Sequence, residues 1–315
     1  MQFPDFLGND PLKQRLSAGR DHFSHCYILE GPSGSGKKTL ARILAAAMEC
    51  ESDQVVPCGQ CPSCRKAFQQ EHPDIITVDS DTATIPIRLI RDMQGDAYVL
   101  PNEGKRKIYL LPRAQDMQAP AQNALLKLLE EPPSYCAFLL MTDSMEKLLE
   151  TVRSRAVTLT LAPLSQDQLR SALKEREPDA SPEDLARAMD KSEGYLGSAL
   201  SLLHTPETAL DRQASDIMSA IASKDELELL TALLPLEKLK RQELLELLTD
   251  LNRSFVRAMN PGAVPSAQTK VLSGCTQKQL FSAAQAVSHA ITLLQANGSA
   301  GHAVGSLLSR IQPSS

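Results

Sequence analysis

A glycine-rich segment between an apolar run and a helical pattern constrains the fold of this chain more than any other feature. Residues 31–39 read GPSGSGKKT, residues 26–29 before them are apolar, and apolar side chains recur with helical spacing from Leu40. In this strand–loop–helix context, glycines let backbone N–H groups approach phosphate oxygens, and the helix N-terminus favours negative charge. The sequence therefore predicts a phosphate-binding loop, and its candidate binding residues are Gly31, Gly34, Gly36, Lys37, Lys38 and Thr39.

The groups that would hold magnesium at such a loop are missing. The loop lysine is normally followed by a Ser or Thr that ligates the metal, but here Lys38 follows Lys37, and Thr39 comes one residue late, rotated by roughly 100° around the helix. A later apolar run, 108–111, ends in Pro112-Arg113 where acidic residues are expected, and Asp116 lies too far on to be an obvious substitute. The sequence predicts lost hydrolysis and leaves open whether ATP or ADP occupies the loop or the loop binds nothing.

Four clustered cysteines predict a metal site. Cys50, Cys58, Cys61 and Cys64 have the spacing C-x₇-C-x₂-C-x₂-C, which can surround one tetrahedral ion. Such clustering in a cytosolic chain favours metal over disulfides, and four filled positions favour structural zinc. An iron–sulfur centre and four free thiols are the alternatives. The remaining cysteines are predicted to be buried apolar residues: Cys26, Cys136 and Cys275.

Apolar runs alternate with helical patterns over the first half of the chain, which predicts a parallel sheet flanked by helices. The predicted strands cover 26–30, 75–78, 107–111, 136–141 and 157–161, and the intervening helices include 37–48, 87–99 and 119–130. Everything after Pro163 has helical spacing, with helix starts at Ser165 and Ser181 and a Gly/Pro/Ser loop at 260–266.

Composition narrows the class of protein. The net charge of −5 over 315 residues argues against a general DNA-coating protein, which would carry a dominant basic face. The basic cluster at 105–107 is therefore predicted to be solvated surface. No apolar run approaches the ~20 residues that span a bilayer, and residues 1–5 lack the pattern of a signal peptide, so we expect a cytoplasmic protein.

Four further segments complete a family resemblance. They read SHCYILEGP at 24–32, HPD at 72–74, AQNALLKLLEEPP at 121–133 and SRA at 154–156. Together with the cysteine insertion, they resemble the clamp-loader branch of the AAA+ ATPases, strongly over 10–161 and fairly over 162–204. The resemblance implies an AAA+ P-loop domain at 1–162 with a zinc module at 50–64, a small helical lid domain at 163–205 and an all-helical collar domain at 206–315.

The resemblance also assigns roles within that family. Hydrolysing members keep Ser or Thr after the loop lysine and Asp-Glu after the later strand. Because this chain has Lys38 and Pro112-Arg113 at these positions, it resembles the members of the family that do not hydrolyse ATP. The lid segment 194–198 also lacks the arginine of the active members. Arg155 resembles the arginine of the family's Ser-Arg-Cys motif, here followed by Ala156, which implies an arginine finger acting in trans. Without the resemblance, an ion pair at the surface is the favoured interpretation of Arg155.

The partners implied are those of a five-membered ring in the bacterial DNA polymerase III holoenzyme. They are the gamma/tau ATPase subunits, the clamp-opening delta subunit and, indirectly, the sliding clamp and primed DNA. The chain would be a rigid reference in this hetero-oligomer, and polymerase activity would belong to the complex. Two alternatives are an active clamp-loader ATPase subunit and a zinc-dependent nucleic-acid-binding module on an AAA+ scaffold.

Overall fold

The computed structural model describes residues 2–18, 23–52, 54–205, 208–259, 271–296 and 298–311. They form two compact units. The first, here called the sheet unit, comprises Met1–Arg176 and Glu193–Ala199. The second, here called the helical unit, comprises Glu177–Ser192 and Leu200–Ser315.

The sheet unit is built on five parallel strands in the order β2-β3-β4-β1-β5. The strands are β1 Cys26–Glu30, β2 Ile75–Thr77, β3 Lys107–Leu111, β4 Cys136–Thr142 and β5 Val157–Thr160. The helices are α1 Asp10–Ala18, α2 Lys37–Glu49, α3 Pro62–Gln69, α4 Ile87–Ala97, α5 Ala119–Glu130, α6 Glu150–Arg153 and α7 Gln166–Arg176.

Interior strands of this sheet are apolar on both faces. Every residue of β3 and β4 is buried, as expected for parallel strands covered by helices on each side. Ile28 and Leu140 belong to the core shared with α4 and α5, whereas Leu29 and Leu139 belong to the core shared with α2. This alternation fixes the register, because a slip of one residue would move each side chain to the opposite layer.

Sheet order brings the functional segments to one edge. β1 lies between β4 and β5, and the glycine-rich loop connects the end of β1 to α2. The carboxyl ends of β3 and β4 lie at the same edge, because all the strands are parallel. Residues 112–113 and 143 therefore follow their strands toward the loop, at the edge where open parallel sheets bind ligands.

Apolar packing between helices forms the core of the helical unit. Its helices are α8 Pro182–Lys191, the C-terminal part of α9 Leu196–His204, α10 Ala209–Ser223, α11 Glu226–Leu233, α12 Arg241–Ala258, α13 Gln277–Gln295 and α14 Ala300–Arg310. Within it, Lys191 pairs with Asp211 and with Asp250, the latter at 3.0 Å. No described helix is both long and apolar enough to cross a bilayer.

The observed elements confirm the predicted fold class and correct two details. Lys107 was predicted to be solvated, but only 2% of it is exposed, and its Nζ lies 2.8 Å from Asp96. The cysteine segment also contains the start of a helix that was not predicted, α3, which begins at Pro62. The loop predicted at 260–266 lies outside the described residues. The predicted domain boundaries at 162 and 205 stay predictions.

Candidate phosphate-binding site and metal centre

The glycine-rich loop has the backbone that a phosphate site requires. Gly34 and Gly36 have φ of 74° and 95°, in the left-handed region that favours glycine. α2 begins directly after Gly36, so its first N–H groups have no acceptor inside the helix and face the loop. Lys37 Nζ donates to the carbonyl oxygens of Gly31 and, at 2.8 Å, Pro32. Burial lowers the pKa of Lys37, Asp143 raises it and Lys38 lowers it.

The start of α9 packs directly on this loop. The N–H of Gly197 donates to the carbonyl oxygen of Gly34 at 3.0 Å, and Ser198 Oγ donates to that of Ser33 at 2.8 Å. A Cβ at Gly197 would lie 2.7 Å from the Gly34 oxygen, so an alanine there would force the two segments apart. The pair Gly34 and Gly197 therefore permits a backbone contact that sequence patterns alone did not predict.

Arg113 occupies the end of β3, where the metal-holding acid was expected. Its Nε and one terminal nitrogen bond Asp79 Oδ1 at 3.0 and 2.8 Å, and it also bonds the carbonyl oxygen of Thr82 at 3.2 Å. Asp116 lies 3.4 Å from the other terminal nitrogen. Both carboxylates near this strand end therefore accept bonds from the guanidinium group.

Three charged residues of the site were missed by the sequence analysis: Asp5, Asp143 and Arg176. Asp143 follows β4 and lines the same cavity as Lys37, and Arg176 reaches that cavity from the end of α7. Asp143 was within reach of sequence reasoning, because it directly follows a buried strand that a parallel sheet places beside β1. Arg176 gave no such signal, since it lies in an ordinary helical pattern.

A cavity of about 580 Å³ lies over the loop. Its charged lining residues are Lys37, Lys38, Arg113, Arg176, Asp5 and Asp143. Positive side chains outnumber negative ones, and the phosphate loop forms one wall. All the predicted loop residues from Gly34 to Thr39 line this cavity, and Gly31 instead accepts the Lys37 bond. The arrangement suits an anionic ligand.

The four predicted cysteines meet at one point. All four Sγ atoms of Cys50, Cys58, Cys61 and Cys64 lie within 4.8 Å of one another. N–H groups of the segment point at the sulfurs, for example Cys61 N to Cys58 Sγ at 3.3 Å and Cys64 N to Cys61 Sγ at 3.4 Å. Such donors stabilise thiolates, the form that ligates metal. The set fits a tetrahedral four-sulfur site that joins the end of α2 to α3.

A neighbouring loop is held by the buried carboxylate of Glu49. Glu49 accepts bonds from the N–H groups of Lys105 and Arg106, both at 2.8 Å. Lys105 Nζ donates to the carbonyl oxygen of Cys50 at 2.8 Å. The basic cluster at 105–107 therefore packs against the cysteine segment and the sheet.

Arg155 lies at the turn between α6 and β5, away from the cavity residues. One terminal nitrogen is 2.7 Å from Glu130 Oε1, and another donates to the carbonyl oxygen of Thr151 at 2.9 Å. Its side chain is 35% exposed. Glu130 is the last residue of α5, so the ion pair fastens the turn to the end of that helix.

Comparisons with known proteins find relatives among the subunits of DNA polymerase III. The DNA polymerase III subunit tau of Escherichia coli is 34% identical over 222 residues, 68% of this chain and 34% of tau. The family described as "DNA polymerase III, delta subunit" matches residues 10–165. The delta' subunit of Bacillus subtilis is 33% identical to this chain over 62% of this chain and 59% of that subunit. The delta' subunit of Pseudomonas aeruginosa is 37% identical over 53% of this chain and 53% of that subunit.

The chain belongs to the delta-prime family of DNA polymerase III clamp-loader subunits. The match includes the phosphate loop, the cysteine cluster and Arg155. The chain spans 34% of the length of the tau relative and 59% of the Bacillus delta' relative, less than two thirds of each. The family match at residues 10–165 lies within the sheet unit.

Proposed function

We propose that this chain is the delta-prime subunit of a clamp loader, and that it acts without hydrolysing ATP. Arg113 is the observation that carries the proposal. A guanidinium cannot ligate magnesium or accept a proton from water, and here it bonds Asp79 and lies within 3.4 Å of Asp116. Lys38 replaces the other metal-holding group. Loss of a base alone costs on the order of 10²–10⁴ in rate, and loss of the metal adds to it.

Arg155 is proposed to act on a neighbouring subunit. It lies in the segment that resembles the family's Ser-Arg-Cys motif, and its own loop lacks hydrolytic groups. Its guanidinium is partly exposed and held by Glu130, a contact that a γ-phosphate of a neighbouring gamma/tau ATPase subunit would replace. The chain would thus be a stator in a cytoplasmic ring that contains the delta subunit and loads the sliding clamp on primed DNA.

The cysteine cluster is proposed to hold one structural zinc ion. Four thiolates fill a tetrahedral shell and leave no position for water or substrate. Zinc would join the C-terminal end of α2 to α3, with Cys50 at one side and Cys64 at the other. No step of clamp loading is assigned to this ion.

Two observations favour a second candidate, a hydrolysing clamp-loader ATPase. Asp143 carries a carboxylate in the cavity near Lys37, and the tau subunit is among the relatives. The two candidates predict opposite results for the isolated chain.

ATP hydrolysis by the purified full-length chain, with and without primed DNA, tests the proposal. We expect background hydrolysis that Lys37→Ala leaves unchanged, together with co-purification with gamma/tau and delta subunits. A turnover of about one per second that Lys37→Ala abolishes would support the ATPase candidate and overturn the stator. A chain that fails to join the ring would contradict the clamp-loader proposal as a whole.

A further inference from the structure

We infer that the cavity over the phosphate loop binds a nucleoside di- or triphosphate in its magnesium-free form, with Lys38 and Arg176 supplying the positive charge that the metal normally brings. This rests on one part of the proposed function, the loss of metal-holding groups. It goes beyond that part, because it assigns a ligand, and a preferred ionic form of that ligand, to a site that does not hydrolyse it.

The loop retains what phosphate binding needs. Backbone N–H groups at the start of α2 face the cavity, because Gly34 and Gly36 adopt left-handed conformations. The contacts from α9 use the carbonyl oxygens of Ser33 and Gly34, which are acceptors that phosphate would not bind. The packed lid segment therefore leaves the donors of the loop available to a ligand.

Two carboxylates beside the end of β3 are already engaged by Arg113, which lines the cavity. Arg113 bonds Asp79 at 2.8 Å and lies 3.4 Å from Asp116. Asp143 lines the cavity near Lys37 and attracts that lysine, although burial still leaves the pKa of Lys37 below its usual value. Magnesium would have to displace these contacts, and it demands near-ideal octahedral oxygen ligands. The site thus disfavours the metal where ordinary phosphate loops bind it.

Lys38 places a positive charge at the position directly after the loop lysine, Lys37. A hydroxyl there would ligate magnesium, whereas an ammonium attracts phosphate oxygens and repels the metal. Lys38 and Arg176 both line the cavity. A metal-free nucleotide carries about two more negative charges than its magnesium complex, so these cations favour the metal-free form.

Calorimetric titration of the full-length chain with ADP and with ATP tests the inference. One series contains EDTA and the other contains magnesium in excess over nucleotide. We expect binding in EDTA and an affinity about three- to tenfold weaker with magnesium, the size expected when one or two partly exposed charge contacts are lost. Tighter binding with magnesium, or no heat of binding with either nucleotide in EDTA, would overturn the inference.

Lys38→Thr separates this inference from a general charge effect. The substitution removes the cation and restores a hydroxyl, so affinity in EDTA should fall and the penalty from magnesium should disappear or reverse. Lys278→Thr is the matched control, because Lys278 is an exposed lysine of α13 in the helical unit and should leave both titrations unchanged. If Lys38→Thr behaves like this control, Lys38 does not replace the metal and the inference is wrong.

These titrations do not depend on the ring. Co-purification with gamma/tau and delta subunits tests the clamp-loader role separately, and either result leaves the calorimetric outcome interpretable. A chain that joins the ring but binds only magnesium nucleotide would overturn the inference alone. A chain that binds metal-free nucleotide but joins no ring would overturn the proposed function alone.

Discussion

Asp74 is a single carboxylate that organises a loop between α4 and β3. None of its surface is exposed, and it accepts bonds from the N–H groups of Asn102, Glu103 and Gly104 at 2.6, 2.9 and 2.8 Å. Burial raises its pKa, but these backbone donors outweigh that effect and hold the pKa below its usual value. Buried donors left without an acceptor are costly, so the loop depends on this charge.

Replacing Asp74 by Asn should lower the free energy of unfolding by about 1–3 kcal/mol at neutral pH, because the neutral amide is a weaker acceptor and adds unwanted donors. The depressed folded-state pKa gives stability that is present above the unfolded pKa. That stability is lost as pH falls through the folded pKa. Urea unfolding at several pH values measures this, with the exposed Asp216→Asn as control. A mutational difference that does not shrink at acidic pH would contradict the assignment.

At the residue scale, the sequence predicted contiguous motifs but did not predict contacts between residues that lie far apart along the chain. The loop glycines, the Lys38 substitution and the four cysteines were identified from spacing, because each belongs to a contiguous motif. Lys107 was assigned to solvent because its partner Asp96 is 11 residues away on another element. The bond from Ser198 to Ser33 joins residues 165 positions apart, and no local pattern encodes such a contact.

At the scale of elements, helices and strands of the sheet unit were predicted closely. Buried strands such as β3 are continuous apolar runs, and α5 is a strong helix stopped by Pro132-Pro133, so local chemistry and tertiary packing agree. α3 was missed because its first turn carries metal-site cysteines instead of an apolar stripe. Cys61 serves as its N-cap, with Sγ accepting from Cys64 N.

The cysteine module should bind about one zinc ion per chain and should loosen when that ion is lost. Cys61→Ser removes one ligand but retains an oxygen that can cap α3, so the change isolates metal loss from loss of the cap. We expect zinc content to fall and amide hydrogen exchange in α3 to rise, while β3 stays protected. Emission spectroscopy for metal and exchange mass spectrometry measure the two effects.

Cys275→Ser provides the control for that experiment, since Cys275 lies in the helical unit outside the cluster. It should change neither metal content nor exchange in α3. A brown protein that contains iron and labile sulfide would instead support an iron–sulfur centre. A colourless chain without bound metal would support four free thiols and contradict the zinc proposal.

At the scale of the whole molecule, the features divide between the two units. The phosphate loop, the cysteine cluster and Arg155 all belong to the sheet unit, and the family match at 10–165 falls within it. The helical unit contributes an apolar core and an exposed stripe on α11 and the turn after it, formed by Leu227, Leu230 and Leu234. A collar role for this unit stays a prediction from the resemblance.

Arg155→Ala tests whether the chain acts on its neighbour. The substitution removes a bond to the carbonyl oxygen of Thr151 and a partly exposed ion pair with Glu130. Such an exposed pair is typically worth up to about 1 kcal/mol, so the chain should fold and the ring should assemble. Arginine fingers contribute on the order of 10³-fold or more at one site. Because other sites of the ring keep their own fingers, total ATPase should fall partially and clamp loading should fall further.

Three companion variants make that result decisive. Arg155→Lys should rescue poorly, because an ammonium lacks the planar fork of the guanidinium. Arg153→Ala, an exposed arginine two residues away, should leave ATPase and loading unchanged. Glu130→Gln should also retain activity, because it removes only the contact that holds Arg155 in the isolated chain. If Arg155→Ala rings assemble and load clamps at wild-type rates across ATP concentrations, Arg155 has no role in trans, and the ion pair with Glu130 is its whole function.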